Sequence, residues 1–365
     1  MLLIELLVSP LTVALIEPFV IATAVMTHTR AVLVQAVIEH DGQRYTGFGE
    51  AAALPPVTAE DQPDLLVSLA RAATLLAGRE FAERGLAGTE LADMLRALEL
   101  GPVATSAVEC AVLDAGARER GVPLHRLLGS AGELCRLVTD ITLPIGEPAH
   151  LAELAISYKN AGFTAFKVKV GKRRSDDSAV LQALAHAVPG AHVRLDANEG
   201  YSADDALRLL EDARAFGLIV ECFEQPCPRT RFDELARVTA EGGVTIVADE
   251  SCRSLADLEV IAAHRLAHAV NLKLAKLGGL ETTLALGRRA KELGLGLMAG
   301  AMVETRLGLT AMAHLVTALG GVDWLDLDTA FLLAEDPFVG GYEATGPELR
   351  LIDGPGLQVA LHPRG

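Results

Sequence analysis

Apolar and polar positions follow two rhythms along the chain. In the first 130 residues the strand-like stretches come first, at Leu2–Val8, Ala31–His40 and Arg44–Gly49. Asp41-Gly42 separates the last two, and both residue types accept the positive φ of a two-residue hairpin turn. The apolar start, MLLIELLVSPLTVALIEPF, reads as two short strands separated by a Ser-Pro turn. Helical spacings follow at Pro63–Leu76, Thr89–Leu98 and Val103–Arg120, the last closed by Gly121 and Pro123. Strands followed by helices predict an α+β domain over residues 1–130.

From residue 135 the rhythm becomes strict alternation. Strand-like runs at Arg136–Thr142, Ala165–Val170, His192–Asp196, Ile219–Glu224, Val244–Asp249, Ala269–Leu274, Leu295–Gly300 and Trp324–Asp328 are separated by helical patterns such as Ala149–Ala161, Asp177–Ala187, Ala203–Ala215, Leu280–Leu293 and Leu307–Leu319. Eight strands with seven intervening helices predict an α/β fold with a parallel sheet closed into a barrel over residues 131–332. A doubly wound open sheet is the alternative. It would place a glycine-rich phosphate turn after its first strand, and none is present. Residues 333–365 are expected to pack back on the first domain.

Composition narrows the function. Half of the 365 residues are apolar and 22% are charged, which excludes a disordered chain. The 48 acids against 32 bases give a formal charge of −16, so nucleic acid and anionic membrane are poor partners. The apolar start lacks a basic flank and carries Glu5, Pro10 and Glu17, so it is not read as a targeting segment. No charge-free run reaches about 18 residues, so no transmembrane helix is expected. The five cysteines are odd in number and form no CxxC pair, which suggests reduced, mostly buried thiols in a cytoplasmic protein. A homo-oligomer is expected.

The charges recur in phase. Lys167 and Lys169 lie near the end of the second barrel strand, Asp196 ends the third, Glu224 the fourth and Asp249 the fifth. Lys273 lies near the end of the sixth, and Asp326 and Asp328 are on the eighth. A barrel brings all its strand ends to one face, so these groups should meet in one cleft. A single charge at a strand end is usually solvated surface; recurrence at the same point of successive units is not expected of surface charge.

The residue types suggest chemistry. Asp196, Glu224 and Asp249 offer three hard oxygen ligands, suited to Mg²⁺ and unsuited to zinc. Lys169 and Lys273, four strands apart in an eight-stranded ring, face each other across it. Amines with pKa values lowered by the metal, by Lys167 and by partial burial could act as bases at neutral pH. Two bases on opposite faces of one carbon describe 1,1-proton transfer, and so racemisation or epimerisation. Salt bridges at the rim would explain the pairs but not the opposed strands.

The segments FKVKVG (166–171), RLDANEGY (194–201), FEQP (223–226), ADES (248–251) and NLKLAKLGG (271–279), with the helix SAVECAVLDAGARERGVPLHRLLG (106–129), resemble the enolase superfamily, and within it the muconate lactonizing enzyme subgroup. The resemblance implies a (β/α)₇β modified TIM barrel with an N-terminal α+β capping domain. It implies Lys169 and Lys273 as the acid/base pair, one Mg²⁺ per subunit on Asp196, Glu224 and Asp249, and Lys167 on the substrate carboxylate. Asn198 and Glu250 would orient the ligands and Lys273. Asp326-Leu327-Asp328 resembles the Asp-x-Asp motif of dipeptide epimerases, in which both carboxylates hold the substrate's α-ammonium. Residues two apart on a strand point the same way, so both acids could face one cation. Thr142 would contact the substrate, and His28 and Arg30 lie where the capping loop covers its second side chain. Glu304 follows the seventh strand, and Ala301 stands where relatives often have Cys. The expected reaction is epimerisation of a dipeptide's C-terminal residue through an enediolate, with specificity set by loops around residues 19–30 and 50–57. Racemisation of N-acylamino acids, cycloisomerisation, an o-succinylbenzoate synthase-like elimination, and a non-catalytic scaffold remain the alternatives.

Overall fold

The computed structural model describes residues 1–81, 89–130 and 136–362. Its first domain is organised by one hairpin. β4 (Arg30–His40) and β5 (Gln43–Ala53) pair antiparallel from Arg30↔Ala53 to His40↔Gln43, and Asp41 and Gly42 both take positive φ at the turn. β1 (Leu2–Leu11) adds to β4's other edge, and β6 (Arg79–Glu80) pairs with its first residues. The expected Ser9-Pro10 turn is not formed: β1 runs straight through it, with Pro10 opposite Val32. β6 reaches only Leu2 and Leu3, so beyond them β1 is an edge strand, where a residue without an N–H is tolerated. A second hairpin pairs β2 (Ala14–Val20) with β3 (Val25–His28) in a two-stranded sheet of its own.

Two helices, α1 (Gln62–Leu76) and α3 (Pro102–Glu119), pack on the sheet, and α2 (Thr89–Ala97) packs against α3. Asp61 and Asp64 form a capping box at the start of α1. α3 lies against β5 at Gly47 and Gly49. A Cβ on Gly49 would sit on the Ala107 carbonyl oxygen, and one on Gly47 on the Ala111 carbonyl oxygen. The small residues therefore let helix backbone touch strand backbone. A short helix, α4 (Leu124–Leu127), ends this region.

The expected strand Arg136–Thr142 divides in two. β7 (Leu137–Val138) leaves the barrel and pairs with a C-terminal strand, while β8 (Ile141–Leu143) opens the barrel. β9 (Ala165–Lys169), β10 (His192–Asp196), β11 (Ile219–Glu224), β12 (Thr245–Ala248), β13 (Ala269–Leu272), β14 (Gly296–Ala299) and β15 (Trp324–Leu325) follow in parallel, each hydrogen-bonded to the next. A parallel bridge between Thr139 and Leu325 joins the last strand to the chain leading into the first. The connections are α5 (Pro148–Asn160), α6 (Arg174–Ala187), α7 (Ala203–Ala215), α8 (Phe232–Glu241), α9 (Leu255–His264), the short α10 (Leu274–Leu277) with α11 (Leu280–Glu292), and α12 (Arg306–Leu319). Cys222, Val247, Ala269 and Met298, from four successive strands, form a separate buried layer inside the barrel.

After β15 the chain forms a 3-10 turn (Thr329–Leu332) and then β16 (Phe338–Gly340), β17 (Tyr342–Thr345), β18 (Glu348–Leu351) and β19 (Val359–Leu361). β18 pairs with β7, and Asp114 of α3 accepts from Leu357 N at 2.7 Å. Two acids tie the capping helices and sheet to the barrel. Glu50 of β5 accepts from Thr305 N, Thr305 Oγ1 and Gly308 N at the start of α12 (3.0, 2.6 and 3.0 Å). Glu109 of α3 accepts from Leu280 N at the start of α11. Both carboxyls complete the unpaired amides of a helix N-terminus. Four cysteines, Cys110, Cys222, Cys227 and Cys252, are free and buried; Cys135 lies outside the described residues. Among the described residues no helix is long and apolar enough to cross a membrane.

Candidate active site

Strand register assembles the site. Lys169, Asp196 and Glu224 close β9, β10 and β11, and Asp196 is paired with both of the others. Asp249 and Glu250 follow β12, Lys273 follows β13, and Lys276 lies one turn later on α10. Lys167, two residues before Lys169, points inward one layer lower and pairs in register with Thr142. The eighth strand is shorter than expected. It ends at Leu325, so Asp326 and Asp328 stand just beyond it, Asp328 opening the 3-10 turn.

The charges interlock. Lys169 Nζ donates to Asp196 Oδ2 at 2.5 Å and to Asn198 Oδ1 at 3.4 Å. Asn198 passes the contact on to Glu250 at 3.2 Å. Lys273 Nζ donates to Asp249 Oδ2 at 2.7 Å. Lys276 spends all three protons on Asp249 Oδ1, Asp249 O and Asn271 O, at 2.7 to 2.8 Å. Lys167 lies among Asp196, Glu224 and Asp326, at 3.1, 2.7 and 2.5 Å. Glu224 Oε1 accepts from Asn271 at 2.6 Å. Its Oε2 is close to Lys167 but off any hydrogen-bond direction, so no donor serves it. A buried, unserved carboxylate oxygen beside two further buried carboxylates, with no His or Cys in the set, fits a hard divalent cation.

These contacts set the protonation. Burial alone would raise Asp196, but Lys169, Lys167 and Lys273 hold it well below the carboxylate range. Asp249 is held low in the same way, against burial, by Lys273 and Lys276. Burial, Asp249 and Asp196 push Glu250 up to about 8. Lys273 is pulled in two directions. Burial lowers it, but Asp249 and Glu224 outweigh burial and hold it above the ordinary range.

Lys169, Lys273, Asn198 and Asp326 open onto one cavity, whereas Asp196, Glu224, Asp249 and Asp328 are buried behind its lining. Thr142, Lys169, Asn198, Lys273, Asp326 and Thr329 provide its polar lining. Lys169 and Lys273 thus reach a single space from strands four apart. Lys167 does not line it and lies beneath, fully buried.

On the β15 side, Asp140, Asp326 and Asp328 bring carboxylate oxygens within 4.8 Å of one another. This is a different set from the three carboxylates above. Arg194 holds Asp140 at 2.9 Å and Lys167 holds Asp326 at 2.5 Å. Asp328 Oδ2 accepts from Thr142 N at 2.5 Å, and its Oδ1 has no partner. Burial and Asp326 push Asp328 up to about 6. Three buried acids with two cations leave room for one more positive group.

His28 and Arg30 do not reach this cavity. Arg30 is spent on both carboxylate oxygens of Asp61, at 2.6 and 2.5 Å, and exposed His28 contacts Thr27. Glu304 lies behind the cavity wall, accepting from Met302 N at 2.9 Å. Several participants were missed from sequence. Lys276 stands inside the quoted NLKLAKLGG segment, one turn after Lys273. Asp140 and Asn271 sit on barrel strands or just before them, in the same phase as the acids. Gln225, in FEQP, accepts from Asp249 N and Ser251 N at 2.9 and 3.1 Å and so fixes the Asp249 backbone. Glu50 gave no signal, because its partners lie 255 and 258 residues away.

Comparison with known proteins gives matches over nearly the whole chain. Residues 3–129 match the mandelate racemase / muconate lactonizing enzyme N-terminal domain, and residues 150–364 the enolase C-terminal domain-like family. The chain is 40% identical to an L-Ala-D/L-amino acid epimerase of Populus trichocarpa over 354 residues, covering 95% of this chain and 82% of that one. It is 37% identical to an aromatic dipeptide epimerase of Herpetosiphon aurantiacus, covering 95% of each. Its fold superimposes with a TM-score of 0.88 on the dipeptide epimerase of Enterococcus faecalis complexed with Mg and L-Leu-L-Tyr, at 29% identity, covering 99% of this chain and 100% of that one.

Proposed function

The chain belongs to the mandelate racemase / muconate lactonizing enzyme family, in the dipeptide epimerase group of the enolase superfamily, and from that premise we propose a Mg²⁺-dependent epimerase acting on the α-carbon of a dipeptide's C-terminal residue. The observation that carries this reading is the pair of lysines, Lys169 and Lys273, opening on one cavity from opposed strands beside the acids Asp326 and Asp328. Asp196, Glu224 and Asp249 are the residues that would hold the ion, which when bound supplies positive charge against the electron pair arriving on the substrate carboxylate.

One lysine, as the neutral amine, takes the α-proton. The C–H electron pair moves into the carboxylate to give an enediolate. The opposite lysine, as the ammonium, returns a proton to the other face, so configuration inverts and atoms balance. Asn198 steadies Lys169 through its amide oxygen, and Lys276 with Gln225 fixes Asp249 so that Lys273 is aimed inward. Asp328, with its free Oδ1, and Asp326 receive the substrate's α-ammonium, and Thr142 and Thr329 flank them. Buried free thiols fit a reducing cytoplasm.

The test is to incubate the protein with Mg²⁺ and L-Ala-L-Leu in deuterated water. NMR should show both deuterium at the leucine α-carbon and a second diastereomer, and both should stop with EDTA. Deuterium-free, configurationally stable dipeptides across a library would refute the reading.

A further inference from the structure

We propose that the site selects dipeptides whose C-terminal residue carries an uncharged, apolar side chain and rejects acidic ones; this rests on the epimerase reading above. Epimerisation exposes the α-carbon to both lysines, so its side chain must point away from them, toward the cavity's remaining wall. That wall is built by Phe19 and Ile21 from the β2–β3 hairpin, Leu54 and Val57 after β5, and Met302 and Val303 after β14. All six are buried. The Phe19 ring centroid lies 6.0 Å from Lys169 Nζ, so the apolar wall begins directly over one of the two bases.

A substrate side-chain carboxylate would need a cation there. Among the described residues, Lys169 and Lys273 are the only cations lining the cavity, and both are paired with carboxylates and required for proton transfer. The nearby arginines do not line the cavity: Arg30 is paired with Asp61 and Arg229 with Glu199, while Arg253 donates a terminal nitrogen to the Val57 carbonyl behind the wall and leaves its buried Nε without a partner. A carboxylate placed against this wall would lose water and gain no partner, whereas an apolar side chain gains by leaving water.

The experiment compares kcat/KM of the purified Mg²⁺-loaded protein for L-Ala-L-Leu, L-Ala-L-Phe and L-Ala-L-Glu, read as α-proton exchange in deuterated water. The apolar substrates should exceed the acidic one by on the order of 100-fold or more. Equal or better turnover of L-Ala-L-Glu overturns the inference while leaving the epimerase intact. No exchange with any dipeptide overturns both. A Leu54→Arg variant, checked as folded by circular dichroism, should raise the acidic-to-apolar ratio at least tenfold. An unchanged ratio in the folded variant would show that this wall does not meet the side chain.

Discussion

Replacing Asp328 with Asn removes one charge and almost no volume. The residue is fully buried, its Oδ2 is held by Thr142 N at 2.5 Å, and its Oδ1 has no partner. Asn keeps an oxygen for the Thr142 amide, so the local backbone should survive. On the proposed reading, what would be lost is the negative charge that meets the substrate's α-ammonium, since Asp326 is already paired with Lys167 at 2.5 Å. Two unit charges about 4 Å apart at an effective dielectric of about 20 attract by about 4 kcal/mol. Losing one partner of a desolvated pair costs about 2–5 kcal/mol. Taking about 3–4 kcal/mol, kcat/KM for L-Ala-L-Leu should fall roughly 10²- to 10³-fold. The control substrate is N-propionyl-leucine, which is the same molecule without the amine. The wild type should handle it poorly, and Asp328→Asn should handle it no worse. Both are read by NMR exchange in deuterated water, with melting curves to confirm the fold. Equal losses on both substrates would make Asp328 a structural residue, and an unchanged rate on L-Ala-L-Leu would refute its role outright.

Asp328 is pushed up to about 6, so kcat/KM for a free-amino dipeptide should fall as pH drops below about 6 and the acid takes up a proton; a pH profile of Asp328→Asn should lack that limb. Glu109 is pushed up to about 8 by burial and by Glu281, above its unfolded value near 4.3, so its stability contribution is complete below that value and is lost as pH rises through about 8. The urea midpoint should therefore decline over that window, and Glu109→Gln should flatten the decline. Gly49→Ala would drive a methyl into the Ala107 carbonyl and should cost about 3 kcal/mol, read as a lowered urea midpoint.

The barrel was legible because its strands are short, largely buried apolar runs, six of the eight with an ionisable residue at or near the end. Register then does the rest: once β9, β10 and β11 pair in parallel, Lys169, Asp196 and Glu224 have no choice but to stand together. The Asp41-Gly42 hairpin was legible for the same kind of reason, a local rule with few alternatives. What could not be read depends on partners distant in sequence. Whether Ser9-Pro10 turns or continues depends on β6 being too short to cover that edge. Arg30 is spent on Asp61 only because β4 begins beside the start of α1. The eighth strand stops at Leu325 and the chain enters a 3-10 helix at Thr329, a switch its apolar pattern does not mark. The ion pairs of Lys273 with Asp249 and Glu224 could not be read either, because no sequence spacing supplies those distances.

The two-base geometry is tested most directly by following α-proton exchange in deuterated water with Lys169→Ala and Lys273→Ala, starting separately from the L,L and L,D forms of one dipeptide. Each variant should lose net epimerisation, and each should still exchange the proton of one diastereomer, with opposite preference, because each retains one base on one face. Exchange at the wild-type rate from both diastereomers in Lys169→Ala would contradict proton transfer between these two lysines.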